Sequence, residues 1–268
     1  MKRYAVIGNP INHSLSPILH EYLYDVFNID AVYNRIKIAN EDELKRFLKK
    51  NTYNGFNITL PYKERILDYK YPINSRTKSI GSGNIITYVN DEIFINNTDW
   101  YGFILAIGKN KINLNGKEVI VIGYGGVAKS ILYAINKMNP KLIKIFNRTS
   151  LEDLIFSDNI STYSFDIINE HIKNNSIIIN CTSIGLNNEM SPLCSEMISE
   201  NQTIIDVIYK LNKSQLINTG IEKGARTMDG LDMFIYQGLL SHEIWFGNSI
   251  LNNIDIVKIR EHLRKFQC

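Results

Sequence analysis

Short apolar runs alternate with amphipathic stretches along most of this chain, and each pattern predicts an element. Arg3 to Gly8 reads as a strand. From Pro17 to Phe27, the residues Ile18, Leu19, Tyr22, Leu23 and Val26 fall on one side of a helix. Ala31 to Ile38 reads as a second strand. Asn40 is placed to cap a helix carrying Leu44, Phe47 and Leu48. Gly55 to Thr59 is a third strand, ended by Pro61. Asn84 to Val89 and Ile93 to Asn96 flank Asn90-Asp91, a hairpin pattern. Asp99 to Ile107 is helical. Later strands fit Leu142 to Phe146, Ser176 to Asn180 and Thr203 to Val207, and Asp229 to Phe246 and Ile254 to Phe266 fit long helices. This alternation predicts an α/β fold with mostly parallel sheets. No internal repeat, low-complexity tract or long linker interrupts it. A domain boundary is expected near residue 100, because a self-sufficient strand–helix unit starts at Lys117.

That unit begins with KEVIVIGYGGVA, Lys117 to Ala128. A strand pattern passes into a helical one through Gly123-Tyr124-Gly125-Gly126-Val127-Ala128, the form of a dinucleotide-binding turn. The first glycine permits the tight turn, and the second lets the backbone approach a pyrophosphate. The small Ala128 lets the helix pack near the strand. The phosphates would sit at the helix N-terminus, where its N–H groups and dipole favour an anion. The next strand ends in Asn147-Arg148-Thr149. A site for NAD carries an acid there, about 20 residues past the glycines, to hold the ribose 2′-hydroxyl. This chain has a guanidinium instead, which pairs a 2′-phosphate in fork geometry and stacks on adenine, so NADP is favoured. The plainer alternative is a polar turn after a strand.

Composition narrows the classes. The 268 residues are enough for one large or two medium domains, and 44% hydrophobic content fills real cores. A net charge of +3 with dispersed lysines gives no electrostatic footing for nucleic acid or an anionic membrane. No apolar run reaches membrane-spanning length. The apolar part of Met1 to Gly8 is too short for a signal peptide. Cys181, Cys194 and Cys268 form neither a metal motif nor a disulfide framework, so no metal is expected and a cytoplasmic setting is.

Three segments hold candidate chemistry. Gly8 to Pro17, GNPINHSLSP, lies between a strand and a helix, at the sheet edge where open α/β sheets bind ligands. In an extended stretch Ser14 and Ser16 point the same way. On local grounds Ser16 is the N-cap before Pro17, and His13 is structural or exposed. In Asn57-Ile58-Thr59-Leu60-Pro61-Tyr62-Lys63, Asn57 and Thr59 share a face and Pro61 opens a helix with Lys63 in its first turn. A cation there opposes the helix dipole, a placement suited to a base, although a solvated surface lysine is the bland reading. Asp99 follows Asn97-Thr98 at another helix start. An acid at the edge of one sheet and a lysine at the edge of another strand could meet as a pair. Gly230, Met233 and Gln237 recur near helical spacing, and a buried Gln237 needs partners.

Taken together, these motifs resemble the shikimate dehydrogenase family, in its order and over essentially the whole chain. They run from GNPINHSLSP at 8–17 and NITLPYK at 57–63, through GSGN at 81–84 and NTDWYG at 97–102, to GYGGVA at 123–128. NRT at 147–149, NCTSIGL at 180–186, DVIY at 206–209 and GLDMFIYQG at 230–238 complete the series. The resemblance implies that Lys63 and Asp99 are the catalytic pair. It implies that Ser14, Ser16, Asn57, Thr59, Asn84 and Gln237 bind shikimate, with Tyr209 lining the substrate side. Gly123, Gly125, Gly126, Val127 and Ala128 would hold the diphosphate, and Asn147, Arg148 and Thr149 the adenosine phosphate. Gly230 and Met233 would complete the cofactor side.

The implied architecture is two α/β domains. An N-terminal substrate domain, 1–98 plus 234–268, receives the returning C-terminal helices, and a Rossmann-type NADP domain spans 99–233. The implied activity is reversible NADPH-dependent reduction of 3-dehydroshikimate to shikimate, on the route to chorismate and aromatic amino acids, by a monomer or homodimer. Tyr124 stands where the family has Ala, Asn96 where it has Gly, Ile85 where it has Thr, and Leu211 where it has Pro. Two alternatives stay open: a quinate/shikimate dehydrogenase of the same fold, and a non-catalytic NADP-binding homologue.

Overall fold

The computed structural model describes all residues except 51, 91, 152, 153, 155, 187–189, 211, 267 and 268. Asp91 of the expected hairpin turn, the Leu211 departure and Cys268 therefore lie outside the described residues. The chain divides into two units, Met1–Gly102 with Ile235–Cys268, and Phe103–Phe234. The divisions fall within helices.

The first unit opens with β1 (Lys2–Gly8), α1 (Ser16–Val26), β2 (Ala31–Lys37), α2 (Glu41–Lys50) and β3 (Gly55–Ile58). It continues with α3 (Tyr62–Arg65), α4 (Ser75–Ile80), β4 (Ile85–Val89), β5 (Glu92–Asn96) and the start of α5 (Asp99–Lys109). Its sheet has the order β2-β1-β3-β4-β5. β1 pairs with β2 and β3 in parallel, whereas β4 pairs antiparallel with both β3 and β5. Mostly parallel sheets were expected and are found among the described residues, and the two antiparallel pairs are those of β4, the first strand of the expected hairpin. The two-residue connection between Val89 and Glu92 closes only an antiparallel pair, since a parallel one needs a long crossover.

β1 is buried on both faces, as a central strand is when elements cover each side. Ala5 and Ile7 join Phe56, Ile58, Ile86, Ile95, Leu44 and Leu48 in one cluster, while Tyr4 and Val6 join Tyr24 and Tyr33 in another. The alternation of side chains along a strand divides them. α2 has its expected cap: Asn40 accepts from Glu43 N at 3.0 Å, and the Glu43 carboxylate returns the contact at Ala39 N.

The second unit holds β6 (Glu118–Ile122), α6 (Gly126–Asn136), β7 (Leu142–Asn147), β8 (Ile160–Ser164), β9 (Ile177–Asn180), β10 (Thr203–Asp206), α7 (Gln215–Glu222) and β11 (Arg226–Met228). These strands form a sheet of order β11-β10-β9-β6-β7-β8, parallel throughout. The order reverses direction between β6 and β9, a topological switch point, and ligands bind beyond the carboxyl ends of strands at such points. The glycine run follows the carboxyl end of β6.

Two further helices close the chain, α8 (Leu231–Phe246) and α9 (Ile256–Arg264). The later part of α8 and all of α9 belong to the first unit. Trp245 donates its indole N–H to Ile86 O at 3.0 Å, and Gly55 has no side chain because the Trp245 ring occupies that space. No helix among the described residues is long and apolar enough to cross a membrane. α4, β8, α7 and β11 were not among the expected elements. Their punctuation is present all the same: Asn74 and Ser214 cap α4 and α7.

Candidate active site

The antiparallel hairpin determines where the first unit collects its chemistry. In register, Asn57 faces Ile85, and Ile85 faces Asn96. The end of β3, the start of β4 and the end of β5 therefore share one sheet edge. The segments leaving that edge carry Lys63, Asn84 and Asp99. The lysine and the acid, expected to leave different strands, do so at this one edge.

Lys63 Nζ lies 2.7 Å from Asp99 Oδ2, with both side chains largely withdrawn from solvent, at 17% and 4% exposure. α3 spans only four residues, so its dipole is small, and Lys63 is held by Asp99 and by Gly83 N donating to its carbonyl at 2.7 Å. The other oxygen of Asp99 accepts from Asn84 Nδ2 at 2.9 Å. Asn84 Oδ1 in turn accepts from Thr98 N at 2.7 Å. Asn97 donates to Ser82 O at 2.8 Å, tying the two segments together again. A buried carboxylate is tolerable only with such partners.

Gln237 reaches the same group, its Oε1 accepting from Asn84 Nδ2 at 3.4 Å. One turn on, Ser241 donates to Gln237 O at 2.9 Å and accepts from Asn57 Nδ2 at 2.9 Å. Asn57 Oδ1 accepts from Tyr33 OH at 2.6 Å, and the Tyr33 ring stacks on buried His20 at 4.3 Å. Gly102 permits this approach, because a β-carbon there would meet Gln237 N at 2.9 Å.

Ser14 and Ser16 are buried, with Ser14 Oγ 3.1 Å from Ser16 Oγ. The local reading of Ser16 as N-cap is corrected. Ser16 is the first helical residue, Leu15 takes the cap position, and no side chain caps α1. The Ser16 hydroxyl is turned to Ser14 instead. Thr59 is half-buried, with its methyl packed against Gly8.

The other expected residues lie in the second unit. Gly123 has φ +94°, and a β-carbon there would meet Thr182 Cγ2 at 2.8 Å, so glycine is required twice over. Gly125 is exposed with extended backbone, and no side chain caps α6. Gly126 and Val127 open that helix half-buried, and Ala128 is fully buried against the sheet. Asn147 Nδ2 donates to Thr149 O at 2.9 Å, forming a compact turn that leaves Arg148 exposed. Tyr124 packs edge-on against Phe156, with Lys129 5.3 Å from its ring centroid.

Beneath the loop, Asn180 Oδ1 accepts from Thr182 N at 3.0 Å, and its amide donates to Asp206 Oδ1 at 3.0 Å. Burial raises Asp206 to about 6, against the lowering effect of Ser214, Ile208 N–H and Asn180. Tyr209 stacks on Phe234 at 4.4 Å, and Met233 is buried. Gly230 donates to Ile208 O at 3.0 Å, and any side chain on it would run into the Val207 carbonyl. Packing alone accounts for that glycine.

Residues 6–86 match the family of the shikimate dehydrogenase substrate binding domain, and 106–207 match that of shikimate / quinate 5-dehydrogenase. A shikimate dehydrogenase (NADP(+)) of Staphylococcus haemolyticus is 33% identical over 91% of this chain and 92% of its own. The chain belongs to the shikimate dehydrogenase family. Among solved structures, shikimate dehydrogenase 1 of Peptoclostridium difficile has a TM-score of 0.87 at 28% identity, covering 99% of this chain and 97% of that one. Shikimate 5-dehydrogenase of Thermus thermophilus, solved in complex with NADP(H) and shikimate, has a TM-score of 0.85 at 27% identity over 99% of both chains.

Within this shikimate dehydrogenase fold, sequence reasoning missed Tyr33, Arg35, Thr98 and Ser241. Tyr33 and Arg35 share a face of β2, and Arg35 Nε donates to Ser14 O at 2.7 Å. Ser241 continues the helical spacing of Met233 and Gln237, a signal that was available.

Proposed function

We propose that this chain catalyses the reversible, NADPH-dependent reduction of 3-dehydroshikimate to shikimate. The observation that carries the reading is the buried Lys63–Asp99 pair at 2.7 Å, with Asn84 on the second carboxylate oxygen. In the reduction, Lys63 gives a proton to the carbonyl oxygen as it becomes a hydroxyl. Asp99 aims the ammonium and balances its charge, and Asn84 stops the carboxylate from rotating. In the reverse direction Lys63 takes the hydroxyl proton. Ser14 and Ser16 donate to the substrate carboxylate, while Asn57, Thr59, Asn84 and Gln237 address the ring hydroxyls and fix the ring.

When bound, NADPH supplies the hydride that joins the carbonyl carbon. The second unit fits such a cofactor: α6 lacks a side-chain cap where a diphosphate would lie, and exposed Arg148 stands at the end of β7 with no ion pair to an acid among the described residues. Gly123, Gly125, Gly126, Val127 and Ala128 would hold the diphosphate, and Asn147, Arg148 and Thr149 the 2′-phosphate. Tyr209, Gly230 and Met233 would line the nicotinamide end. We assign residues 1–98 with 234–268 to substrate and 99–233 to NADP, with Asp99 at the head of α5 serving the substrate side. A cytoplasmic setting as monomer or homodimer suits the unpaired Cys181 and Cys194.

Initial rates with shikimate and with quinate, each against NADP and NAD, test the proposal. Shikimate with NADP is expected to be the best pair by a wide margin. Absence of NADPH formation from shikimate refutes the reading, and a preference for quinate moves it to the quinate branch.

A further inference from the structure

We propose that Arg35 is a recognition residue for the substrate carboxylate, acting beside the Ser14–Ser16 pair; this rests on the shikimate reading above. Side chains two apart on a strand share a face. On β2 that face carries Tyr33, which holds Asn57, and Arg35, which holds Ser14. One face of one strand thus serves two segments of the candidate site.

The Arg35–Ser14 bond uses Nε, one N–H of the five in a guanidinium. Among the described residues, the terminal nitrogens of Arg35 make no hydrogen bond or ion pair, and the side chain is exposed. Its positive charge reaches both sides of the serine segment. It adds to the lowering of His13, whose main cause is burial, and it opposes the upward pull of burial on Glu21. Glu21 makes no contact ion pair with it.

Two serine hydroxyls offer neutral donors. A carboxylate leaving water for them keeps its full negative charge, and a cation alongside offsets part of that loss. The Ser14 carbonyl anchors the guanidinium beside the serine pair through Nε and leaves its terminal N–H groups for an anion. An exposed cation also raises the rate of encounter with an anionic substrate, and this effect falls with salt.

The test uses Arg35→Gln and Arg35→Lys, with Lys49→Ala on α2 as a control for net charge. Shikimate binding to the cofactor-free protein and steady-state kinetics are measured at low and high salt. Shikimate methyl ester serves as the uncharged probe. Arg35→Gln is expected to weaken shikimate about two- to tenfold in Kd and KM with little change in kcat. The loss shrinks at high salt, the ester is unaffected, and Arg35→Lys and Lys49→Ala stay near the parent. Unchanged shikimate affinity in a folded Arg35→Gln overturns the proposal. Equal, salt-independent losses for acid and ester also overturn it, because Arg35 then only braces the loop. A parent enzyme inert toward shikimate would instead sink the functional reading, a separate result.

Discussion

Around Lys63 and Asp99 the proposed working groups are side chains drawn from distant segments, whereas around Gly123 the proposed ones are backbone N–H groups from one continuous run. The first arrangement depends on buried hydrogen bonds. Asn84 alone touches Thr98, Asp99 and Gln237. The second depends on backbone shape, set by the positive φ of Gly123 and the packing of Ala128. A site of side chains is therefore vulnerable at its supporting residues as well as at its reactive ones. A backbone site tolerates side-chain changes except where glycine is required.

The largest effect should come from Lys63→Ala. Turnover is expected to fall by about 10² to 10⁴, the usual worth of a positioned proton-transfer group. NADP affinity, measured by fluorescence titration, should stay near the parent value. A folded Lys63→Ala enzyme with normal turnover would end the comparison, since the side-chain region would then not be the reactive one.

Arg148→Ala tests the charged side chain on which the cofactor site is expected to rely. A charged hydrogen bond to phosphate is worth roughly 1.5–3 kcal/mol, so NADP should bind about one to two orders of magnitude more weakly while NAD changes little. Equal losses for both cofactors would assign the guanidinium to adenine stacking.

Ser241→Ala sharpens the contrast at a supporting residue. It removes one of the two partners of the buried Asn57 amide, the other being Asn84 O at 3.2 Å, which costs about 1–3 kcal/mol in stability by urea unfolding. The Michaelis constant for shikimate should rise as Asn57 loses its orientation. Stability unchanged within error would show that Asn57 finds another acceptor.

The smallest effect concerns acid. In the first unit burial holds His242 down at about 4 and His20 well below the usual histidine value. Their neutral forms add stability that is full above pH 6.5 and is lost as pH falls toward 4. In the second unit Asp206 is raised to about 6 from 3.8, so its contribution is full below pH 3.8 and is lost as pH rises to about 6. Between pH 6 and 4 the two regions therefore respond with opposite sign. His242→Gln should flatten the acid decline in melting temperature, and Asp206→Asn should steepen it. Parallel melting curves for parent and both variants would show that neither group differs between folded and unfolded chains.

Local chemistry was enough for much of this molecule. The hydrophobic alternation marked β1, β2 and β3, Asn40 marked the start of α2, and the glycine run marked the β6–α6 turn, because each depends on residues close in sequence. The motif order also named the residues of the candidate site. Ser16 shows the limit of that reasoning: its neighbours made it a helix cap, and its hydroxyl turns to Ser14. The hairpin of β4 and β5 was legible, but its antiparallel pairing with β3, which brings Asn84 and Asp99 to the edge where Lys63 stands, joins distant segments. So do Ser241 on Asn57 and Arg35 on Ser14, separated by 184 and 21 residues in the chain. A hydrogen bond requires its partners within about 3 Å, and for residues so far apart only the packed sheets and helices set that distance.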